Sequence, residues 1–245
     1  MVTPVVTAPN YTAEDHQTWA TLYERQMKQV GDCACRLFYD GMARLKLDPK
    51  HLPDKNETSA KLNRMTGWTL ADAQNEYLSA IEWYEHTIHH RFPVTNYIRR
   101  PHEIDFTPLP DLFHEYFGHL ALFTDQEFAD TYYMIGPLYL SGNERQRLEV
   151  SRLSWFTTEF GIMREEGQLK IFGAGLFSSI GELAHAFAPE TPRYEFDIRR
   201  VAETPAVVHN YHDHYFIFDG LPHLRHILQE YARMEGLPIP PYPNR

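Results

Sequence analysis

The residues best placed to do chemistry lie in Pro110–Phe123, PDLFHEYFGHLALF, where His114, Glu115 and His119 sit in an apolar, aromatic stretch. Neutral imidazoles, a charged oxygen and walls that limit water are what a metal site needs. The segment is not the H-E-x-x-H of zinc proteases, in which histidines four apart share one helix face. Here the interval is five, which on a straight α-helix turns the two rings roughly 140° apart. Both reach one ion only if the helix distorts or ends between them, and Gly118 is placed to permit that. A third ligand is expected to be a carboxylate in a structured apolar stretch, and SWFTTEFG, Ser154–Gly161, supplies Glu159 among Trp155, Phe156 and Phe160. A glutamate in that company is costly unless it is paired or binds a metal. Two histidines and one carboxylate with open positions describe the facial triad of Fe(II) oxygenases. The plainer alternative is that these three residues are buried and bonded only to each other.

The elements that must position them can be read outward from this segment. The chain has 245 residues, 43% hydrophobic and 14% aromatic, enough to fill a substantial core. With 33 acidic and 23 basic residues, the net charge of -10 argues against nucleic acid or an anionic membrane as partner. No apolar run reaches the roughly 20 residues that cross a bilayer, and the N-terminus has no basic region ahead of an apolar core. Cys33 and Cys35 are expected to be reduced, partly buried thiols. The expectation is a cytoplasmic enzyme, monomeric or weakly oligomeric, acting on a small molecule.

Residues 1–10 read as a flexible arm and 11–245 as a single domain, mainly α with a few short strands. Thr12 signals a helix start, followed by Trp19, Leu22 and Tyr23 at helical spacing and continuing toward Leu45, with Gly31 and Gly41 as possible breaks. The stretch 48–56 reads as a loop and Thr66-Gly67 as a turn. Residues 70–90 read as a helix and 92–100, FPVTNYIRR, as a strand. Helices are expected over 125–139, 143–160, 178–187 and 221–235, and strands at 169–172 and 214–218.

Four motifs in order make the sequence resemble the pterin-dependent aromatic amino acid hydroxylases, especially the short bacterial phenylalanine hydroxylases. They are YIR at Tyr97–Arg99, TPLPDLFHEYFGH at Thr107–His119, WFTTEFG at Trp155–Gly161 and FGAGLFSSIGEL at Phe172–Leu183. YTAEDHQTWATLYERQ, Tyr11–Gln26, and TGW, Thr66–Trp68, add to it, so the resemblance spans roughly residues 11–235. It implies that His114, His119 and Glu159 hold Fe(II), and that Arg99 binds the amino acid's carboxylate in a bidentate way. Thr107 and Ser178 would lie near that end of the substrate. Pro110, Trp155 and Phe160 would shape the aromatic pocket, and Gly175 would let backbone approach substrate or ligands. Glu115 would face a tetrahydropterin, stacked on Trp83 or Tyr84, and Asp111 is a candidate carboxylate behind the site. The implied reaction is ring hydroxylation of an aromatic amino acid, phenylalanine first, with O2 and tetrahydropterin. A repurposed member with another substrate or no pterin, and a non-catalytic metal-binding protein, are the alternatives.

The sequence departs from the family in places. Thr69–Arg91 lacks the usual Pro-Gly-Leu loop, Ala121 stands where a proline is usual, and Ser154 stands where a tyrosine is usual. Beside these readings, Arg99 is alternatively a surface arginine pairing with Glu103 or Asp105. HNYHDH, His209–His214, reads as solvated polar residues rather than a second metal cluster, and His86, His89 and His90 as an exposed helix face.

Overall fold

A computed structural model describes residues 9–74, 78–105 and 110–242. Residues 1–8 of the expected arm lie outside the described residues, and Pro9 and Asn10 are exposed. Helix α1 (Ala13–Val30) starts as expected: Thr12 accepts from the Asp15 amide, and the Asp15 carboxylate accepts from the Thr12 amide. It stops at Gly31, whose φ of 41° suits glycine. Gly41, by contrast, breaks nothing. It lies inside α2 (Arg36–Leu45), and a Cβ there would stand 2.0 Å from the Ala121 carbonyl oxygen. Between the expected loop, which ends at Asp54, and the expected turn at Thr66-Gly67, α3 (Lys55–Thr66) forms, capped by Asp54 and ended by Gly67.

The expected helix over 70–90 is corrected. It resolves into β1 (Thr69–Gln74), α4 (Ala80–Thr87) and β2 (Arg91–Thr95). The strands pair in parallel, with Leu70 opposite Phe92 and Asp72 opposite Val94, so α4 belongs to the crossover between them. Leu70, Phe92 and Val94 are buried, whereas Ile81 is exposed. Burial of the β1–β2 pair against the core overrides the local helical period. Residues 75–77 of the expected helix lie outside the described residues.

Beyond the central segment come α5 (Gln126–Tyr133), α6 (Ile135–Ser141) and α7 (Glu144–Ser154). The hairpin β3 (Ile162–Glu165) and β4 (Gln168–Ile171) leads into α8 (Ala174–Ser178) and α9 (Ile180–Ala186). Then follow β5 (Arg193–Glu195), α10 (Ile198–Glu203), β6 (Tyr215–Phe218) and α11 (Gly220–Met234). The second sheet has the order β4-β3-β6-β5, with β3–β4 antiparallel and the other pairs parallel. All four residues of β6 are buried, as its β-prone run demands. The expected mainly helical architecture holds around one contiguous hydrophobic core. Cys33 and Cys35 are both free, and Cys35 is buried. Among the described residues no helix is long and apolar enough to cross a membrane.

Candidate metal centre and the cavity above it

The distortion demanded by the five-residue interval is a π-helix over His114–His119. Its amide hydrogen bonds reach five residues back, as from Leu120 to Glu115 at 3.2 Å, so positions five apart lie about one turn apart. The helix neither ends nor breaks at Gly118. That glycine serves packing instead, since a Cβ there would stand 2.7 Å from the Ala174 carbonyl oxygen in α8. Phe117 anchors the segment from below, with its ring stacked on Phe113 at 4.7 Å and tilted against Phe38 of α2 at 5.4 Å. A second π-helix, Trp155–Glu159, extends α7 and delivers Glu159, with the Phe160 amide bonded to the Trp155 carbonyl at 2.8 Å.

The three donors form a small triangle. His114 Nε2 and His119 Nε2 are 3.1 Å apart, and the Glu159 oxygens lie 3.4 Å from the first and 3.2 Å from the second. Donors at right angles on an ion about 2.1 Å away stand about 3 Å apart, so the set fits a first-row metal. Each side chain is prepared for that role. Ser178 Oγ donates its single proton to the Ala174 carbonyl at 2.8 Å, so its 2.8 Å contact with His114 Nδ1 must be accepted. That places the His114 proton on Nδ1 and leaves Nε2 bare toward the triangle. Burial pushes the His119 pKa down, which favours the neutral ligand form. Burial alone would raise the Glu159 carboxyl, yet the two histidines hold it below the ordinary carboxylate range. The backbone of Glu159 rests in a glycine cradle: a Cβ at Gly173 would stand 2.2 Å from its carbonyl oxygen, and one at Gly175 would stand 2.5 Å from the Phe160 ring.

Above the triangle lies a cavity of about 940 Å³, within the size of pockets that take a cofactor and a small substrate. His114, Glu115, His119, Glu159, Pro110, Trp155, Trp83 and Tyr84 all line it, so the predicted ligands share one space with the predicted aromatic wall. The two candidate stacking residues differ in freedom. Tyr84 is 7% exposed and its ring lies 4.3 Å from Tyr139 in the core, whereas Trp83 is held at the wall by Tyr132 through a 3.4 Å indole bond. Ser154 also lines the cavity, where its small side chain leaves space. Ala121 does not; it is fully buried against Gly41.

The other predicted residues stand one layer back. Arg99 is 6% exposed and forms its bidentate pair with Asp111, at 2.8 and 2.9 Å, not with the surface acids Glu103 or Asp105. Asp111, fully buried, also accepts from the Arg99 and His114 amides at 2.9 and 3.1 Å. One carboxylate thereby ties the arginine to the start of the ligand helix. Burial would raise its pKa, but Arg99 outweighs it and holds the carboxyl below its ordinary value. Phe160 packs on Trp155 with centroids 4.8 Å apart. Ser178, expected near the substrate, is bonded to His114. Thr107 lies outside the described residues.

Sequence reasoning missed a polar cluster beside Glu115. Lys55 is fully buried, and its Nζ donates to Asn96 Oδ1, to the Val94 carbonyl at 3.3 Å and to Asp72 at 3.5 Å. Glu115 accepts from the Thr95 amide at 2.8 Å, and burial holds its carboxyl well above the ordinary value despite Lys55 nearby. Nothing in the spacing of Lys55, Asp72 and Asn96 marks them; the β1–β2 register brings them together.

A mainly helical domain with a two-histidine, one-carboxylate cluster under an aromatic-walled cavity is the architecture of a non-haem metal oxygenase. The chain belongs to the biopterin-dependent aromatic amino acid hydroxylases, whose family model matches residues 3–238. It is 36% identical over 216 residues to phenylalanine-4-hydroxylase of Chromobacterium violaceum, covering 87% of this chain and 72% of that protein. A crystal structure of the Chromobacterium violaceum phenylalanine hydroxylase with bound iron(III) and oxidised 7,8-dihydrobiopterin is similar with a TM-score of 0.86 and 33% identity, over 94% of this chain and 85% of that one. The cold-active phenylalanine hydroxylase of Colwellia psychrerythraea is similar with the same TM-score and 30% identity, over 93% and 90% of the two chains.

Proposed function

We propose that the protein hydroxylates the ring of phenylalanine, using Fe(II), tetrahydropterin and O2. The observation that carries this reading is the triangle of His114, His119 and Glu159 at the base of a cavity that also exposes Trp83 and Glu115. Iron and tetrahydropterin, when bound, supply the reductive activation of O2 that attack on an aromatic ring requires.

The residues do the rest by binding and exclusion. His114, His119 and Glu159 hold the metal by three donors and leave the remaining positions open. Trp83 offers the face for the pterin ring, and Glu115, whose carboxyl burial pushes above its ordinary value, faces the same space. Trp155 and Pro110 form the wall against which the substrate ring lies, with Phe160 packed on Trp155 behind it, and their apolar surface keeps water away from the reacting centre. Arg99 meets the substrate carboxylate. Asp111 takes the Nε proton and one Nη2 proton, so the outer edge of the fork, with the second Nη2 proton and the Nη1 protons, stays available for the bidentate contact expected from the sequence. The free thiols of Cys33 and Cys35 support the expected action in the cytoplasm.

The test is direct. Fe(II)-loaded protein given phenylalanine and O2 forms tyrosine when tetrahydropterin is added and none without it. Tyrosine formation that ignores the pterin, or phenylalanine that is never consumed, would overturn the reading.

A further inference from the structure

His209–His214 was expected to be a solvated run, and His209 and Asp213 are indeed exposed, but His212 is only 2% exposed and lies behind the cavity wall. Its Nε2 receives the Trp155 indole N–H at 2.8 Å. An indole nitrogen can only donate, so Nε2 must be the accepting nitrogen and Nδ1 must carry the proton. That proton points at Glu182 Oε1, 2.5 Å away. The same oxygen accepts from the His212 amide at 3.2 Å and from the Tyr215 hydroxyl at 2.5 Å. His185 Nε2 lies 2.9 Å from the His212 carbonyl and pins the backbone as well. The tilted imidazole then packs on Phe160, with centroids 4.3 Å apart. Both ring nitrogens are engaged, so the residue is no second metal ligand. Among the described residues the one metal-competent group is the triad.

We propose that His212, locked in a single tautomer by Glu182, is a positioning residue that fixes the plane of Trp155 and with it the fit of the substrate's aromatic ring. The wall residue Trp155 is constrained from behind: its indole nitrogen by His212 Nε2, and the Phe160 ring that packs on it by the tilted imidazole. A flat aromatic slot keeps its selectivity only while its walls hold their orientation, and small displacements at a reacting centre are costly. Glu182, on the first turn of α9, carries this restraint from a part of the fold that does not touch the cavity.

This inference rests on Trp155 being a substrate wall, and the experiment separates the two readings. In the iron-loaded enzyme, His212→Leu is expected to lower kcat/KM for phenylalanine by roughly tenfold or more. The loss should fall mainly on KM and on the tyrosine formed per pterin oxidised. His212→Gln, which places an amide oxygen near the Nε2 position, should restore most of it. In a Trp155→Phe background, where there is no indole proton to hold, His212→Leu should cost little more. Equal losses in both backgrounds, or unchanged kinetics in a folded His212→Leu protein, would overturn the proposal. Imidazole nitrogen shifts of the metal-free wild-type protein give a readout free of turnover: a proton on Nε2 instead of Nδ1 refutes it even if no variant folds. Were the wild-type protein to make no tyrosine, the functional reading would fall. The positioning would still be decided by those shifts and by the Trp155 indole proton, which must move in His212→Gln and sharply in His212→Leu.

Discussion

Replacing Ser178 with alanine tests how the metal centre is prepared. Ser178 is 6% exposed, and its hydroxyl makes two 2.8 Å bonds, one donated to Ala174 and one accepted from His114. Alanine removes both and leaves the His114 Nδ1–H facing a methyl group. An unpaired buried donor costs about 1–3 kcal/mol, a cost the ring can escape by rotating or by moving its proton to Nε2, which then no longer offers a lone pair. Loss of such an outer partner typically weakens metal binding by about 10- to 100-fold, or about 1.4–2.7 kcal/mol at 25 °C. Anaerobic titration of Fe(II) or Co(II) into the metal-free protein at pH 7 measures this directly. Ser178→Thr, which keeps the hydroxyl, should bind nearly as well as the wild type. The metal-free stability of Ser178→Ala should fall by only about 1 kcal/mol in urea melts. Wild-type affinity in Ser178→Ala would mean that the tautomer of His114 is set by something other than Ser178, and the account of the centre would be wrong.

Gly173→Ala should cost metal binding and stability together, because its Cβ would lie 2.2 Å from the Glu159 carbonyl oxygen; overpacking of this kind costs about 1–3 kcal/mol or more, read by thermal melts with and without metal. Arg99→Lys keeps the charge but loses the planar fork that grips Asp111, so KM for phenylalanine should rise several-fold, roughly 1 kcal/mol of ground-state binding, with kcat changed less. The Glu182 carboxyl is pushed up by burial but pulled further down by His212 and Tyr215, so its folded pKa lies below the unfolded one. Its stabilisation is therefore complete above the unfolded carboxylate range, near pH 4, and is lost as pH falls through the folded value. The stability gap between wild type and Glu182→Gln in urea should accordingly be full at pH 7 and narrow toward pH 3; a gap that widens in acid would contradict the assignment.

The candidate metal ligands were legible because their chemistry is local: histidines at a fixed interval and a glutamate in apolar company announce themselves without any tertiary knowledge. The need for a helix distortion was also legible, though its form was not. Gly118 invited a break, while the protein keeps the helix and widens it, and uses the glycine against Ala174. Thr69–Arg91 misled because a helical period ran across what are two parallel strands and a crossover, and only packing against the core separates them. Lys55, Glu182 and His212 were invisible as site residues for a related reason. Each is far in sequence from the groups it touches, and each becomes significant only once burial removes water and leaves a specific partner. His212 even carried a misleading signal, since a run of polar residues ordinarily means solvent.

The widened helix at His114–His119 has a consequence for how insertions and deletions are tolerated here. One extra residue in a helical turn shifts the angular phase of everything after it by about 100° relative to an uninterrupted α-helix. Upstream of the bulge, Asp111 faces Arg99; downstream, Ala121 faces Gly41 and Phe123 packs on Trp68. Removing one residue from HEYFGH would restore an ordinary helix with histidines four apart, a spacing able to bind metal in its own right. It would also rotate the Arg99–Asp111 pair away from the candidate metal triangle and the core contacts out of register with it. The extra residue thus acts as a phase element, letting one short segment address the Arg99–Asp111 pair, the candidate metal triangle and the core in three directions.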